Sequence, residues 1–134
     1  MFKLNLASPE KKMVTGQELE EITIPAFSGE LNILPGHSPL MTNLEPGILK
    51  YKLKGSSESV KVAISWGYCQ ISPEAVNVLA ENLMLADEID TTVAKDHLKI
   101  YEQKLANETL EDHQWNDVQH EIARLKAEIE LAGR

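Results

Sequence analysis

The sequence predicts an all-β N-terminal sandwich or barrel of short antiparallel strands, followed by a C-terminal antiparallel two-helix hairpin. Three observations predict it. Apolar residues alternate with period two through the first part of the chain. Proline, glycine and serine clusters interrupt that alternation at short intervals. Beyond residue 86 the period changes to a helical three-and-four spacing.

The strand signals run in order. Phe2, Leu4 and Leu6 alternate with Lys3 and Asn5, and Ile22 and Ile24 flank Thr23. Glu18, Glu20 and Glu21 form a carboxylate cluster that suits a solvated strand start. Leu31 and Ile33 alternate with polar neighbours before Pro35-Gly36 stops the strand. Proline fixes φ, and glycine accepts a left-handed turn. Pro39 then restricts Ser38 to an extended backbone, so a second strand follows the corner. Leu49, Tyr51 and Leu53 alternate with Lys50 and Lys52, whose charges suit a solvated face or a guarded edge. Val60, Val62, Ile64 and Trp66 alternate next, and Val76 and Val78 flank Asn77. Pro46-Gly47, Gly55-Ser56-Ser57 and Ser72-Pro73-Glu74 supply the intervening turns. Many short strands at this spacing imply a sandwich or barrel.

Asp90 opens the helical region as a candidate N-cap. Ala94, Leu98, Tyr101 and Leu105 recur at 4-3-4 spacing. Asn107 and Glu108 break the pattern, and Thr109 with Asp112 forms a candidate capping box. Trp115, Val118, Ile122, Leu125, Ile129 and Ala132 then form a heptad seam, with Gly133 just past it. So short a break makes the helices antiparallel neighbours. The predicted domains are a β-sandwich over residues 1–86 and a hairpin over 87–134. Isolated helices of this length are marginal in water, so the hairpin must lean on the sandwich or on a partner, and it can adopt a second arrangement.

The chain of 134 residues carries a net charge of −8, of which −6 falls on residues 87–134. This balance argues against non-specific nucleic-acid binding and a polybasic membrane anchor. One cysteine, Cys69, excludes an intrachain disulfide. The N-terminus lacks the apolar core of a signal peptide, and no apolar run approaches the ~20 residues of a spanning helix. The expectation is a cytoplasmic protein that reaches a membrane only through a partner.

The residues offer no enzyme chemistry. His37, His97, His113 and His120 show no metal-binding spacing. The glutamate cluster has nothing converging on it. No nucleophile elbow and no glycine-rich phosphate loop occurs. The expected catalytic, metal and cofactor sets are therefore empty. Trp115 opens the seam, as an interface anchor or as the closure of the hairpin end.

Residues 29–40, Gly-Glu-Leu-Asn-Ile-Leu-Pro-Gly-His-Ser-Pro-Leu, resemble the "GELGILPGHxPL" signature of the epsilon subunit of F-type ATP synthases. Gly47-Ile48-Leu49 resembles "PGxLxI". Ser65 to Ile71 resembles "SGGFxEV", with Trp66 where glycine is usual. Val76 to Glu81 resembles "VTVLAE". The order and spacing of these strings cover nearly the whole chain. The resemblance implies a non-catalytic rotor-stalk subunit of bacterial type, peripheral on the cytoplasmic face of the inner membrane. Its sandwich would bind the gamma subunit and rest on the c-ring, coupling ring rotation to the shaft. Glu30 and His37 would lie near the ring-facing or gamma-facing surface. The hairpin would fold beside the sandwich or, as in some members, extend along gamma towards the alpha and beta catalytic subunits and block hydrolysis.

Departures qualify two of these properties. ATP-sensing members carry Ile/Leu-Asp-x-x-Arg-Ala at the first helix start, which here reads Ile89-Asp90-Thr91-Thr92-Val93-Ala94. Asp90 is the remnant of that motif. Val93 replaces its arginine, Met84 its preceding glutamate, and Ile100 a later arginine, so weak or no ATP binding is expected. The inhibitory arm of the family is basic, whereas residues 109–134 hold three Lys/Arg against six acids. Like charge would oppose docking on an acidic partner, so weak or differently balanced inhibition is expected. Two other classes compete with the stalk subunit: a free-standing binding adaptor with a helical docking arm, and a small hydrolase with a cryptic site.

Overall fold

A computed structural model describes residues 2–26, 29–36, 38–107 and 109–133. Among the described residues nine strands come first: β1 Lys3–Ala7, β2 Lys12–Ala26, β3 Gly29–Ile33, β4 Leu40–Leu44, β5 Gly47–Leu53, β6 Val60–Ile64, β7 Gly67–Ile71, β8 Ala75–Ala80 and β9 Leu83–Met84. A single 3-10 turn, Ala86–Glu88, leads to α1 Thr91–Asn107 and α2 Asp112–Ala132.

The strands form one continuous sheet folded over on itself. β2 makes the fold possible, because its 15 residues serve both layers. Its first half pairs with β1, and β8, β7 and β4 continue that layer. Its second half pairs with β3 and β5, and β6 and β9 continue the other layer. All pairings are antiparallel except β1 with β8. The register with β1 shifts twice, and Gly16, at φ +64°, sits at the shift between Thr15 and Gln17, within the half of β2 that pairs with β1. Irregularities of this kind bend and twist a strand. Alternation sends Leu4, Leu6, Ile22, Ile24, Ile33, Leu49 and Val62 between the layers, where they are fully buried.

Three local expectations change. The glutamate cluster lies inside β2 rather than at a strand start, and Glu18 and Glu20 face Lys54, just past the end of β5, and Lys52 of β5 at 3.8 and 3.7 Å. β5 is an interior strand between β2 and β6, so its lysines guard no edge. Trp66 does not extend β6. The chain turns at Ser65, whose Oγ accepts hydrogen bonds from Asn82 N at 2.9 Å and Asn82 Nδ2 at 3.3 Å. A separate strand, β7, begins at Gly67. There a Cβ would run into the Leu79 carbonyl, so only glycine fits.

The helices are antiparallel neighbours, and α2 also packs over β5 and β6. α1 buries the stripe that its sequence marks: Ala94 fully, and Leu98, Tyr101 and Leu105 in part. Asp90 caps α1, with Oδ1 accepting from Thr92 N at 3.1 Å and Val93 N at 3.2 Å. The box of Thr109 and Asp112 does not form. α2 starts later, with Glu111 as N-cap and Gln114 Oε1 accepting from Glu111 N at 3.1 Å. α2 has two neighbours, so its buried face is wider than a seam and adds Ala127, Glu128 and Leu131 to Val118, Ile122 and Leu125. Ile129 and Ala132 are only half-buried.

Candidate functional site

The two layers carry different outer faces, and the difference follows from sequence alternation. On the layer containing β4, β7 and β8 the outward residues are Met41 and Asn43, Tyr68 and Gln70, and Asn77 and Leu79. Asn5 of β1 extends the row. Its Nδ2 donates to Asn77 Oδ1 at 2.8 Å, and its Oδ1 accepts from Gly16 N at 2.8 Å. None of these side chains carries a formal charge, in a chain where 25% of residues are charged. Met41, Tyr68 and Leu79 are 64%, 45% and 39% exposed. An exposed face that is uncharged and partly apolar is of the kind that proteins use to contact one another.

The opposite layer is strongly charged. Lys50 and Lys61 stand directly opposite each other on β5 and β6. They line a cavity of about 400 Å³ together with Thr23, Glu30 and Glu130. Like charges paired across strands repel. The last turn of α2, which carries Glu130 and no basic residue, lies beside them and offsets that repulsion.

The Pro35–Gly36 corner forms as expected, with Gly36 at φ +84°. His37 lies outside the described residues. Exposed Leu34, Leu40 and Met41 flank the corner, so it continues the neutral face at one end of the sandwich. Glu30 is exposed at the other end of β3, paired across from Pro25. The strand therefore separates Glu30 from the corner instead of gathering them into one loop. Trp115 is half-exposed in the first turns of α2, where residues 111–117 are all exposed.

At the root of the hairpin a cavity of about 230 Å³ is lined by Glu88, Asp90, Val93, His97, Arg124 and Glu128, among others. Arg124 is fully engaged there. It donates to Glu121 at 2.7 Å and to Glu128 at 2.9 Å, and the Glu128 residue is only 5% exposed. Burial pushes the Glu128 carboxyl above the usual range, with Arg124 pulling it back. Nearby, Glu88 accepts from Leu85 N at 2.9 Å and from Lys11 Nζ at 3.0 Å, and these bonds hold its carboxyl below the usual range. Three carboxylates line the space against one arginine already paired twice. This set disfavours a polyphosphate. The volume also falls below the ~300 Å³ of ordinary ligand sites.

Cys69 is fully buried between the layers, and burial pushes its thiol up to about 12, which keeps it un-ionised and inert. Among the described residues no cluster of His, Cys, Asp and Glu is placed to hold a metal, and no helix is long and apolar enough to cross a membrane. One contact lay beyond sequence reasoning. The Trp66 and His120 rings meet edge to face, with centroids 5.0 Å apart at 67°. The only sequence signal was a tryptophan where the signature strings carry glycine.

Residues 1–86 match the family described as ATP synthase, Delta/Epsilon chain, beta-sandwich domain. The ATP synthase epsilon chain of Bdellovibrio bacteriovorus is 50% identical over 131 residues, which covers 98% of this chain and 94% of that one. That of Geobacter sulfurreducens is 36% identical over 133 residues, covering 99% and 94%. Among solved structures, a chain of the Euglena gracilis mitochondrial ATP synthase superposes with a TM-score of 0.83 at 20% identity, covering 99% of this chain and 81% of its own. A chain of the Tetrahymena thermophila mitochondrial ATP synthase central stalk and c-ring gives 0.62 at 15% identity, covering 98% and 93%. These two show the shared fold. By the sandwich match and the near-full-length relatives together, the chain belongs to the epsilon-chain family of ATP synthases.

Proposed function

We propose that the neutral face of the sandwich binds the gamma shaft and that the end bearing Glu30 rests on the c-ring, so that ring rotation is passed to the shaft. Family membership makes the chain a non-catalytic rotor-stalk subunit of the ATP synthase, peripheral to the membrane and held there by the complex. The free-standing adaptor is not favoured. The observation that supports the finer reading is the row of uncharged outward residues on β4, β7 and β8, which contrasts with the lysine-rich opposite layer. The corner continues that face through Leu34, Leu40 and Met41, so the corner goes with the shaft. Glu30, at the far end of β3, is left for the ring. The cytoplasmic side of a bacterial inner membrane is the location that fits this assignment.

The hairpin over residues 87–134 is proposed as a separable regulatory unit, with Trp115 at its exposed end as the contact to a partner. Its acidity favours weak inhibition of hydrolysis. The engaged Arg124 supports a hairpin that folds without a nucleotide.

Titration of purified gamma subunit with the full chain tests the reading. A neutral interface should bind with nearly the same affinity from low salt to about 0.5 M, because screening acts only on charges. Leu79→Asp should weaken binding at least about tenfold, because it desolvates a carboxylate in an apolar contact. No complex, or an unchanged affinity for Leu79→Asp, would overturn it.

A further inference from the structure

Trp66 sits where the hairpin and the neutral face meet. Its backbone is fixed, because its carbonyl accepts from Glu81 N at 2.9 Å. On one side its indole meets the His120 ring of α2. On the other it walls a cavity of about 350 Å³ with Pro9, Tyr68 and Leu79. Tyr68 and Leu79 stand opposite each other on β7 and β8, so this groove opens onto the uncharged surface. Gly67 puts no side chain between them, which leaves the indole as the raised wall of the groove.

We propose that Trp66 couples the docking of the hairpin to the binding of the shaft subunit in this groove. The proposal rests on the assignment of the neutral face to the shaft. A docked α2 holds the indole in the position that shapes the groove. An undocked α2 removes His120 and frees the side chain, which must then be ordered again when the partner binds. Docking and binding therefore favour each other. The occupant is the shaft subunit, presenting an uncharged apolar ridge. Formal charge in this cavity is confined to Glu81, so a basic peptide or an anionic ligand finds little to pair with. Trp66 acts here as a positioning residue and adds no chemistry.

Ordering one large side chain shifts an affinity by about threefold to tenfold. The test uses four full-length proteins: wild type, His120→Ala, Trp66→Gly and the double variant. Calorimetric titration with the gamma subunit should show His120→Ala binding about threefold to tenfold more weakly, and the same substitution doing nothing once Trp66 is glycine. Reciprocity requires that gamma slow hydrogen exchange of α2 around His120 in the wild type by a similar factor, and not in Trp66→Gly. Trp66→Phe keeps a ring and should recover part of the effect. Exchange in β1 and β8 reports that each variant is folded. Equal affinities for wild type and His120→Ala, or exchange in α2 that ignores gamma, would overturn the coupling. Leu79→Asp separates the two claims. If it abolishes binding while His120→Ala changes nothing, the face stands and the coupling falls. If it changes nothing, the face assignment falls and the coupling with it. Self-association of the chain through this groove in the absence of gamma would likewise reject the shaft as its occupant.

Discussion

Replacing Arg124 by alanine should release the hairpin. Arg124 is the cation between Glu121 and Glu128, at 2.7 and 2.9 Å, and the Glu128 side chain is only 7% exposed. Removing one member of a buried pair leaves an uncompensated charge and costs about 3–5 kcal/mol if the other stays ionised. Protonation of Glu128 limits this loss, since each unit between pH and pKa costs about 1.4 kcal/mol. A loss of about 3 kcal/mol at neutral pH is the expectation, more than two short helices hold in reserve. The sign with pH follows from the direction of the shift. Burial raises the Glu128 carboxyl in the docked hairpin, against the pull of Arg124 and His97. The docked state therefore binds the proton more tightly, so docking strengthens as pH falls through the raised pKa and weakens above it. Without Arg124 the pKa rises further, and acidification should redock the helix. Hydrogen exchange of α2, corrected for the intrinsic pH dependence of exchange, measures this directly. Arg124→Ala should exchange fast at neutral pH and regain protection in mild acid, and adding Glu128→Gln should restore much of the protection at neutral pH. Unchanged protection in Arg124→Ala at neutral pH, or a double variant no better than the single one, would show that the pair does not hold the hairpin.

Two further outcomes follow from single sites. Titration of the full chain with ATP should show no micromolar binding, since Arg124 is already occupied and Val93 offers no cation; micromolar affinity would contradict the reading of the root cavity. Gly67→Ala should cost about 3 kcal/mol or more, because its methyl meets the backbone of Leu79 and Ala80, and a denaturant midpoint equal to wild type would contradict that packing.

The parts of the fold legible in the sequence were those with a clean period. Leu49 to Leu53 and Ala94 to Leu105 declare their core-facing sides because apolar and polar residues keep a regular period through each. β2 was not legible at full length, because Gly16 interrupts its alternation at the register shift against β1 and the glutamates interrupt it again where its pairing passes from β1 to β5. β7 was hidden because Trp66 continues the phase of Val60, Val62 and Ile64, while the turn is set by a hydrogen bond from Asn82, 17 residues away. The seam of α2 missed Glu128, since burying a carboxylate needs a partner that spacing alone does not reveal. The site divides in the same way. The Pro35–Gly36 corner and the Asp90 cap are local and were readable. The neutral face is not, because its residues come from strands brought together by pairing. The Trp66–His120 contact spans 54 residues and exists only in the folded molecule.

Transmission of torque is tested most directly in reconstituted enzyme. An ATP synthase depleted of its epsilon chain is supplied with this protein or with its Leu79→Asp variant, and proton pumping per ATP hydrolysed is compared. The wild-type chain should restore pumping, and the variant should leave hydrolysis running without it. Equal pumping with both proteins would mean that the uncharged sheet face does not carry the shaft.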